Sequence, residues 1–575
     1  MFSSLRPLCR RSTRFAFWAT ACETTNVRRA HSYHPLINGF VSALQREQPC
    51  LAVSPRRIQV LSQPSSFYET LLAMIQRAKS RIFISSLYIG SGESQLIGAL
   101  EEALTRSPDL KVFLQLDLNR STRPGKLSTA HLLLPLLEKF PSRVSVSLFR
   151  SPSLRGVLAK VVPPRFNEGW GTWHAKIYGA DDEVMISGAN LNDSYFTDRQ
   201  DRYIHFDGEP QLADYCFSFL RTVSTFSFQL SPATHVRSSK YSYRHEDYTL
   251  DWPDASTHPH EIQSKAADSF TSFQAHQKEL SISRRTPSHP SSSSEEKVLL
   301  FPIIQAGQFG IREEESSLDL LFRHVASHST PESGFDDVRQ RPLMDLTSGY
   351  FGLNKRYQDL VLSSRDIDCR IICASPKVTY ICSLVSVFSA SALTSHNTSL
   401  LQANGFYGSS GISGRIPEGY TYLEQGFMKA VKSAGRTWTQ KGNYGHGVQL
   451  KEWYKDGWTY HAKGIWLSPN PDAPPVLTLF GSTNLNSRSS QLDTELSFIM
   501  ALPSKLVRTS PEERNTAVAS VSAPQAGEQT PGLDLRQELH KEISRLHQFT
   551  GEWQGGARAV RWGTMALVHL VGGML

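Results

Sequence analysis

Along the chain, stretches in which apolar residues recur at regular spacing alternate with stretches in which they thin out. Regularity begins near Arg56. From Phe67 to Lys79 the apolar positions have helical spacing, and Arg81-Ile82-Phe83-Ile84-Ser85-Ser86-Leu87-Tyr88-Ile89 reads as a buried strand that runs into the turn Gly90-Ser91-Gly92. The pattern next predicts a helix through Gln95 to Ala103, a strand from Lys111 to Asp117, a helix from Leu132 to Phe140 and a strand from Val144 to Phe149. Strands alternating with helices in this way build an α/β lobe around a parallel or mixed sheet flanked by helices. Between Ser231 and Glu296 the pattern gives way to His, Ser, Pro and charge, which predicts a flexible linker or surface insertion. Apolar spacing returns at Val298 and lasts to Ala501. A loose segment follows, and Leu535 to Phe549 again has helical periodicity.

The expected organisation is therefore a first lobe over 56–230, a linker over 231–296, a second lobe over 298–501 and a tail over 503–575 that carries one helix. A length of 575 residues agrees, because single cores stop growing at about 250 to 300 residues. The two lobes also resemble each other. Ser85-Ser86-Leu87-Tyr88-Ile89-Gly90 has a counterpart in Thr347-Ser348-Gly349-Tyr350-Phe351-Gly352, His174-Ala175-Lys176 in His461-Ala462-Lys463, and Asn190-Leu191-Asn192 in Asn484-Leu485-Asn486. Eleven residues beyond the first Asn of each triplet stand the acids Asp201 and Glu495. Four matched features in one order indicate an internal duplication, each copy supplying half of one site at the interface.

Charge changes the picture of partners. The net charge of +8 favours anionic surfaces, nucleic acid or an acidic membrane, without choosing between them. Residues 1–35 hold Arg6, Arg10, Arg11, Arg14, Arg28 and Arg29 among Phe2, Leu5, Phe15, Phe17 and Trp18, with Glu23 the one acid, which is the composition of a mitochondrial presequence. No stretch reaches the roughly 18 uninterrupted apolar residues of a spanning helix, so a membrane would be met from its surface. The seven cysteines fall at no zinc-like spacing and read as reduced, structural thiols.

The chemistry lies in the doubled motif. In a strand, residues two apart face the same side, so His174 and Lys176 project into one pocket, and His461 and Lys463 do the same. An imidazole can attack phosphorus while a neighbouring ammonium neutralises the charge that builds on the oxygens. A single His-x-Lys is weak evidence. Two of them solve a problem one cannot, because one imidazole can attack while the other delivers a proton to the leaving oxygen and later removes one from the acceptor. Gly481-Ser482-Thr483-Asn484 supplies small residues, hydroxyls and an amide where a phosphate could approach. The turn Gly90-Ser91-Gly92-Glu93-Ser94 is a weaker candidate for nucleotide or phosphate binding, since it opens a helix but lacks the ending of a P-loop. Trp453, Tyr454, Trp458 and Tyr460 are candidates for a membrane interface, core packing or lining of the site.

His174-x-Lys176-x4-Asp181, the Gly/Ser-Asn segments and the second copy together resemble the phospholipase D superfamily. The run from Ser187 to Tyr203, with Gly457-Trp458-Thr459-Tyr460-His461-Ala462-Lys463-Gly464 and Leu346-Thr347-Ser348-Gly349-Tyr350-Phe351, is similar to the eukaryotic mitochondrial phosphatidylglycerophosphate synthases within it. The likeness covers about 56–230 and 298–500. It implies two phospholipase D-like lobes sharing one site, with CDP-diacylglycerol and glycerol 3-phosphate as substrates, phosphatidylglycerophosphate and CMP as products, and a place at the mitochondrial inner membrane on the way to cardiolipin. Nucleic acid, metal and cofactor are not expected. By the same analogy His174 is the nucleophile and His461 the acid/base, the reverse staying open. Lys176, Lys463, Asn190 and Asn484 bind phosphoryl oxygens, Asp181 orients local backbone or lysine, and Asp201 and Glu495 each hold a histidine. Water as acceptor, giving a phospholipase or nuclease, and a lipid-binding scaffold without turnover are the alternatives. Two departures stand out: Ser468 occupies the second-copy place of Asp181, and the segment from Thr379 to Gln402 has no place in the family pattern.

Overall fold

The computed structural model describes residues 33–124, 128–156, 162, 166–234, 240–284, 297–328, 340–376, 415–442, 444–504 and 534–571. The arginine-rich leader up to residue 32 and the segment from Thr379 to Gln402 lie outside them.

Two ten-stranded sheets dominate. In the first, Arg81–Ser85 and Lys111–Asp117 pair in parallel and the latter pairs in parallel with Val144–Phe149, while Arg81–Ser85 meets Ile177–Ala180 antiparallel. The order then continues through Glu183–Ser187 and Tyr203–Phe206 to Ile58–Leu61, all antiparallel. In the second, Leu343–Ser348, Asp368–Ala374 and Val448–Trp453 form the parallel core, and Lys463–Ser468, Leu477–Gly481, Glu495–Ala501 and Val298–Ala306 repeat the antiparallel wing. The duplication legible in four motifs thus extends to strand order and direction.

Strand periodicity explains how the sheets bury both faces. Along the second sheet, Trp466, Phe480, Phe498 and Met500 join the cluster that fills the first sheet, whereas their neighbours Ile465, Leu467, Leu479 and Ile499 join a second cluster beneath the helices Pro35–Glu47 and Glu313–His328. Side chains two apart share a face, so one continuous apolar layer lies between the sheets and another lies outside the second. Phe206 stacks on Phe480 across that inner layer, with ring centroids 6.3 Å apart.

The boundaries differ from the sequence reading in three places. Residues 231–296 are not simply a linker. Tyr243–Arg244 and Tyr248–Asp251 extend the first sheet, and Gln263–Ser283 is a helix that buries Ala266, Phe270 and Phe273. Its apolar content is low because one narrow face is buried, which left no strong periodicity to read. The second lobe begins before the first, since Leu51–Val53 pairs with Val298–Ala306. The tail is built in as well: Thr550–Glu552 adds an edge strand to Val448–Trp453, and the helix Leu535–His547 places Glu542 against both halves. Glu542 accepts two bonds from the Arg202 guanidinium at 2.9 Å and one from Trp466 Nε1 at 2.9 Å. Trp453 and Tyr460 are core residues, stacked with centroids 4.8 Å apart, and do not face a membrane.

Candidate active site

The two halves are stitched together at the segments that deliver the histidines. Thr494 N donates to Thr172 O and His174 N donates to Thr494 O, each at 2.9 Å. On the other side Thr459–Tyr460 runs parallel to Arg199–Gln200, and His461 N donates to Gln200 O at 2.8 Å. The residues before each histidine therefore pair with the residues before the other copy's acid. As a consequence the acids are crossed. His174 Nδ1 bonds Glu495 at 2.9 and 3.0 Å, and His461 Nδ1 bonds Asp201 Oδ2 at 2.6 Å. Each carboxylate fixes the far half's imidazole by Nδ1 and leaves its Nε2 for the chemistry.

Both imidazoles are buried, His174 at 7% and His461 at 4% exposure, and both lysines at 1%. Burial lowers the His174 imidazole below its ordinary value, with Glu495 opposing and Lys176 adding to the shift. His461 is pushed well below the ordinary range by burial and by the cations Lys463, Arg199 and Lys176. Burial brings the Lys176 ammonium down to about 7, Glu495 opposing and Lys463 assisting. Burial would raise Glu495, but His174, Lys176 and the Ser482 hydroxyl hold it at about 2. Burial thus favours the neutral form of both imidazoles.

Each lysine donates back to the carbonyl of its own histidine, Lys176 at 2.6 Å and Lys463 at 2.7 Å, and Lys463 Nζ also lies 3.6 Å from Asp201. Asn190 Nδ2 donates to the Tyr195 hydroxyl at 3.0 Å, which in turn lies 3.4 Å from His461 Nε2. Asn484 Oδ1 is buried without a partner, an amide with unused hydrogen-bonding capacity. Ser482 Oγ and Ser489 Oγ both donate to Glu495, the latter at 2.8 Å, so Ser482 supports the acid rather than standing free. Gly188 owes its identity to the site: a Cβ there would meet Asp201 Oδ1 at 2.6 Å and Lys463 Nζ at 2.7 Å.

Asp181 is not brought to this constellation. It sits at the far end of Ile177–Ala180 with φ of 50°, where its carboxylate accepts from the backbone nitrogens of Lys79, Ser80 and Arg81 at 2.8 to 3.0 Å and from Ser80 Oγ at 2.6 Å. These partners are local backbone and the Ser80 hydroxyl, and the second-copy place is taken by Ser468 at the end of Lys463–Ser468. The turn from Gly90 to Ser94 packs on Asn190-Leu191-Asn192, with Gly90 N donating to Leu191 O at 2.7 Å. Burial raises the Glu93 carboxyl within it.

Sequence reasoning missed a rim of arginines and tyrosines contributed by both halves. Arg199 lies over the Tyr195 ring at 4.5 Å, and Tyr195 and Tyr350 both stand edge-on to the His461 ring, at 5.1 and 5.5 Å. Arg120 lies over Tyr88 at 4.3 Å and pairs with Glu168 at 3.1 Å, Arg123 joins the same carboxylate, and Arg488 pairs with Asp493 at 3.1 Å. The matched tyrosines Tyr88 and Tyr350 offered a signal, since both stand in the repeated segment. Arg199 stands within the run from Ser187 to Tyr203, whereas Arg120 offered no such signal. Two groups of described residues have cation-like spacing, His174 with Asp493 and Glu495, and His131 with His245 and Asp247. In the first, every member is engaged: Glu495 by His174 and the serines, Asp493 by Thr172 and Arg488.

No protein-family model matches the chain. It is 32% identical over 491 residues to the mitochondrial CDP-diacylglycerol–glycerol-3-phosphate 3-phosphatidyltransferase of Gallus gallus, covering 80% of this chain and 77% of that one. The corresponding enzyme of Schizosaccharomyces pombe is 36% identical over 477 residues, with 79% and 86% covered. Among solved structures, the phosphatidylserine synthase of Haemophilus influenzae superposes over 89% of this chain and 91% of that one, with a TM-score of 0.54 and 17% identity, a likeness of fold.

Proposed function

Because the chain belongs to the CDP-diacylglycerol–glycerol-3-phosphate 3-phosphatidyltransferases, we propose that it moves a phosphatidyl group from CDP-diacylglycerol to glycerol 3-phosphate through a phospho-histidine. The observation that carries the mechanism is the crossed pair of His–carboxylate contacts, which hold each imidazole by Nδ1 beside a buried lysine and leave both Nε2 atoms unengaged by carboxylate. His174 Nε2 attacks the phosphatidyl phosphorus and forms a P–N bond as the P–O bond to CMP breaks. The departing oxygen takes a proton from His461. Glycerol 3-phosphate then enters, its hydroxyl gives a proton back to His461 and attacks phosphorus, and the P–N bond breaks. Lys176 and Lys463, with Asn190 and Asn484, stabilise the non-bridging oxygens.

The free-site electrostatics favour this division of labour. His461 is neutral partly because three cations surround it, and a bound phosphate would offset that charge and raise its proton affinity. Substrate binding itself thereby loads the acid. The arginine-rich leader, the mitochondrial names of relatives and the net charge of +8 support a mitochondrial enzyme lying on the inner membrane and supplying the precursor of cardiolipin. No helix among the described residues is long and apolar enough to cross a membrane.

The test is CMP release from CDP-diacylglycerol vesicles with and without glycerol 3-phosphate. Release that depends on the acceptor and yields phosphatidylglycerophosphate is expected; release indifferent to it would make the protein a hydrolase. His174→Ala and His461→Ala should each lower turnover by about 1000-fold or more. Acid-labile label should still accumulate on His174 in the His461→Ala protein.

A further inference from the structure

The pseudo-twofold relation between the half-sites is broken at several positions, and at one pair the difference inverts a charge. Two residues before the acids stand Arg199 and Asp493, and two residues before the histidines stand Thr459 and Thr172. The equivalent contacts are kept: Arg199 Nε donates to Thr459 Oγ1 at 3.0 Å, and Thr172 Oγ1 donates to Asp493 Oδ1 at 2.9 Å. Asp493 is neutralised within the protein by Arg488 at 3.1 Å. Arg199 forms no ion pair with any carboxylate among the described residues. Its neighbour Asp198 accepts from Thr197 instead, at 3.3 Å. The guanidinium is half-buried over Tyr195, a ring that also borders His461.

A half-buried guanidinium with no carboxylate partner keeps its charge open to an anionic ligand. Planar guanidinium is matched to phosphate oxygens, which it binds through paired N–H groups. We propose that Arg199 is the phosphate-reading residue of the site and binds a phosphate monoester on the His461 side. The inference rests on the transferase reading, in which two monoesters pass that position. CMP leaves from it as its oxygen takes the proton, and glycerol 3-phosphate enters it as its hydroxyl loses one. Both are phosphate monoesters, CMP carrying the phosphate at the oxygen that takes the proton and glycerol 3-phosphate at the carbon farthest from the hydroxyl that loses one. The charge inversion thus makes the two histidines inequivalent, and the imidazole beside Arg199 is the one that exchanges protons with leaving group and acceptor.

Full-length protein carrying Arg199→Gln, which can still bond Thr459, and Arg199→Lys, which keeps the charge but loses the fork, tests this. Two selectivities are measured: kcat/KM for glycerol 3-phosphate against glycerol, and calorimetric affinity for CMP against cytidine. Arg199→Gln is expected to reduce one or both ratios by about 10- to 100-fold, with Arg199→Lys between it and the wild type. The ratio that collapses identifies the monoester. Both ratios unchanged in both variants overturns the assignment. Wild-type protein that makes no phosphatidylglycerophosphate would sink the transferase reading alone, because the CMP and cytidine affinities need no turnover. Should Arg199→Gln fail to fold, an unchanged pair of ratios in Arg199→Lys decides against the proposal.

Discussion

Lys176 shows what the site costs the fold. An ammonium at 1% exposure with its pKa brought down to about 7 binds fewer protons in the folded chain than in the unfolded one. The unfolded lysine titrates near its ordinary value of 10.5, so stability falls as the pH drops from that value toward 7 and is level below it. Replacing Lys176 by Met removes that penalty along with the charge the reaction needs. Transfer should be lost, while the melting temperature at pH 7 is equal to or above that of the wild type, the difference shrinking as the pH is raised toward 10. A melting temperature several degrees lower at pH 7 would show that the lysine contributes to the fold. The same trade between stability and function applies to the neutral, buried imidazoles, which oppose folding as the pH falls below the ordinary histidine range.

At the scale of the element, Asp181 separates a motif's chemistry from its architecture. It ends Ile177–Ala180 and satisfies three backbone nitrogens at the entry to Arg81–Ser85, in a left-handed conformation that Asp tolerates and most residues do not. Asp181→Ala should cost about 1 to 3 kcal/mol of stability, read by denaturant unfolding, yet change kcat by less than about threefold. A loss of turnover in a fully folded variant would return Asp181 to the catalytic group. The strands Lys111–Asp117 and Val144–Phe149 were legible to the residue because apolar runs of that length are bounded by turns. The helix Gln263–Ser283 was not, because a half-buried helix with a narrow apolar face resembles a polar linker when its partner surface is unknown. His174, Lys176, His461 and Lys463 were legible because they lie within repeated triplets. Which acid served which histidine was not, since that pairing exists only where the two halves meet. The meeting of the arginines was not legible either, as Arg120, Arg199 and Arg488 come from three separate elements.

For the whole molecule, the interleaving of the halves matters more than their boundaries. Leu51–Val53 crosses from the start of the chain into the second sheet, and Glu542 near its end holds Arg202 of the first half and Trp466 of the second. A cut between Arg284 and Lys297 should give two fragments that are each inactive and that recover transferase activity when co-expressed and purified through a tag on one of them. Activity in either fragment alone would contradict the crossed site.

The inversion at Arg199 and Asp493 also bears on why a single polypeptide is used. An assembly of two identical subunits about a dyad would carry every substitution twice, so an arginine on one flank would bring an arginine on the other. Tandem fusion lifts that constraint: it lets one flank be cationic and the other balanced, and so lets a catalyst built from near-copies exchange its phosphate monoesters on one side only.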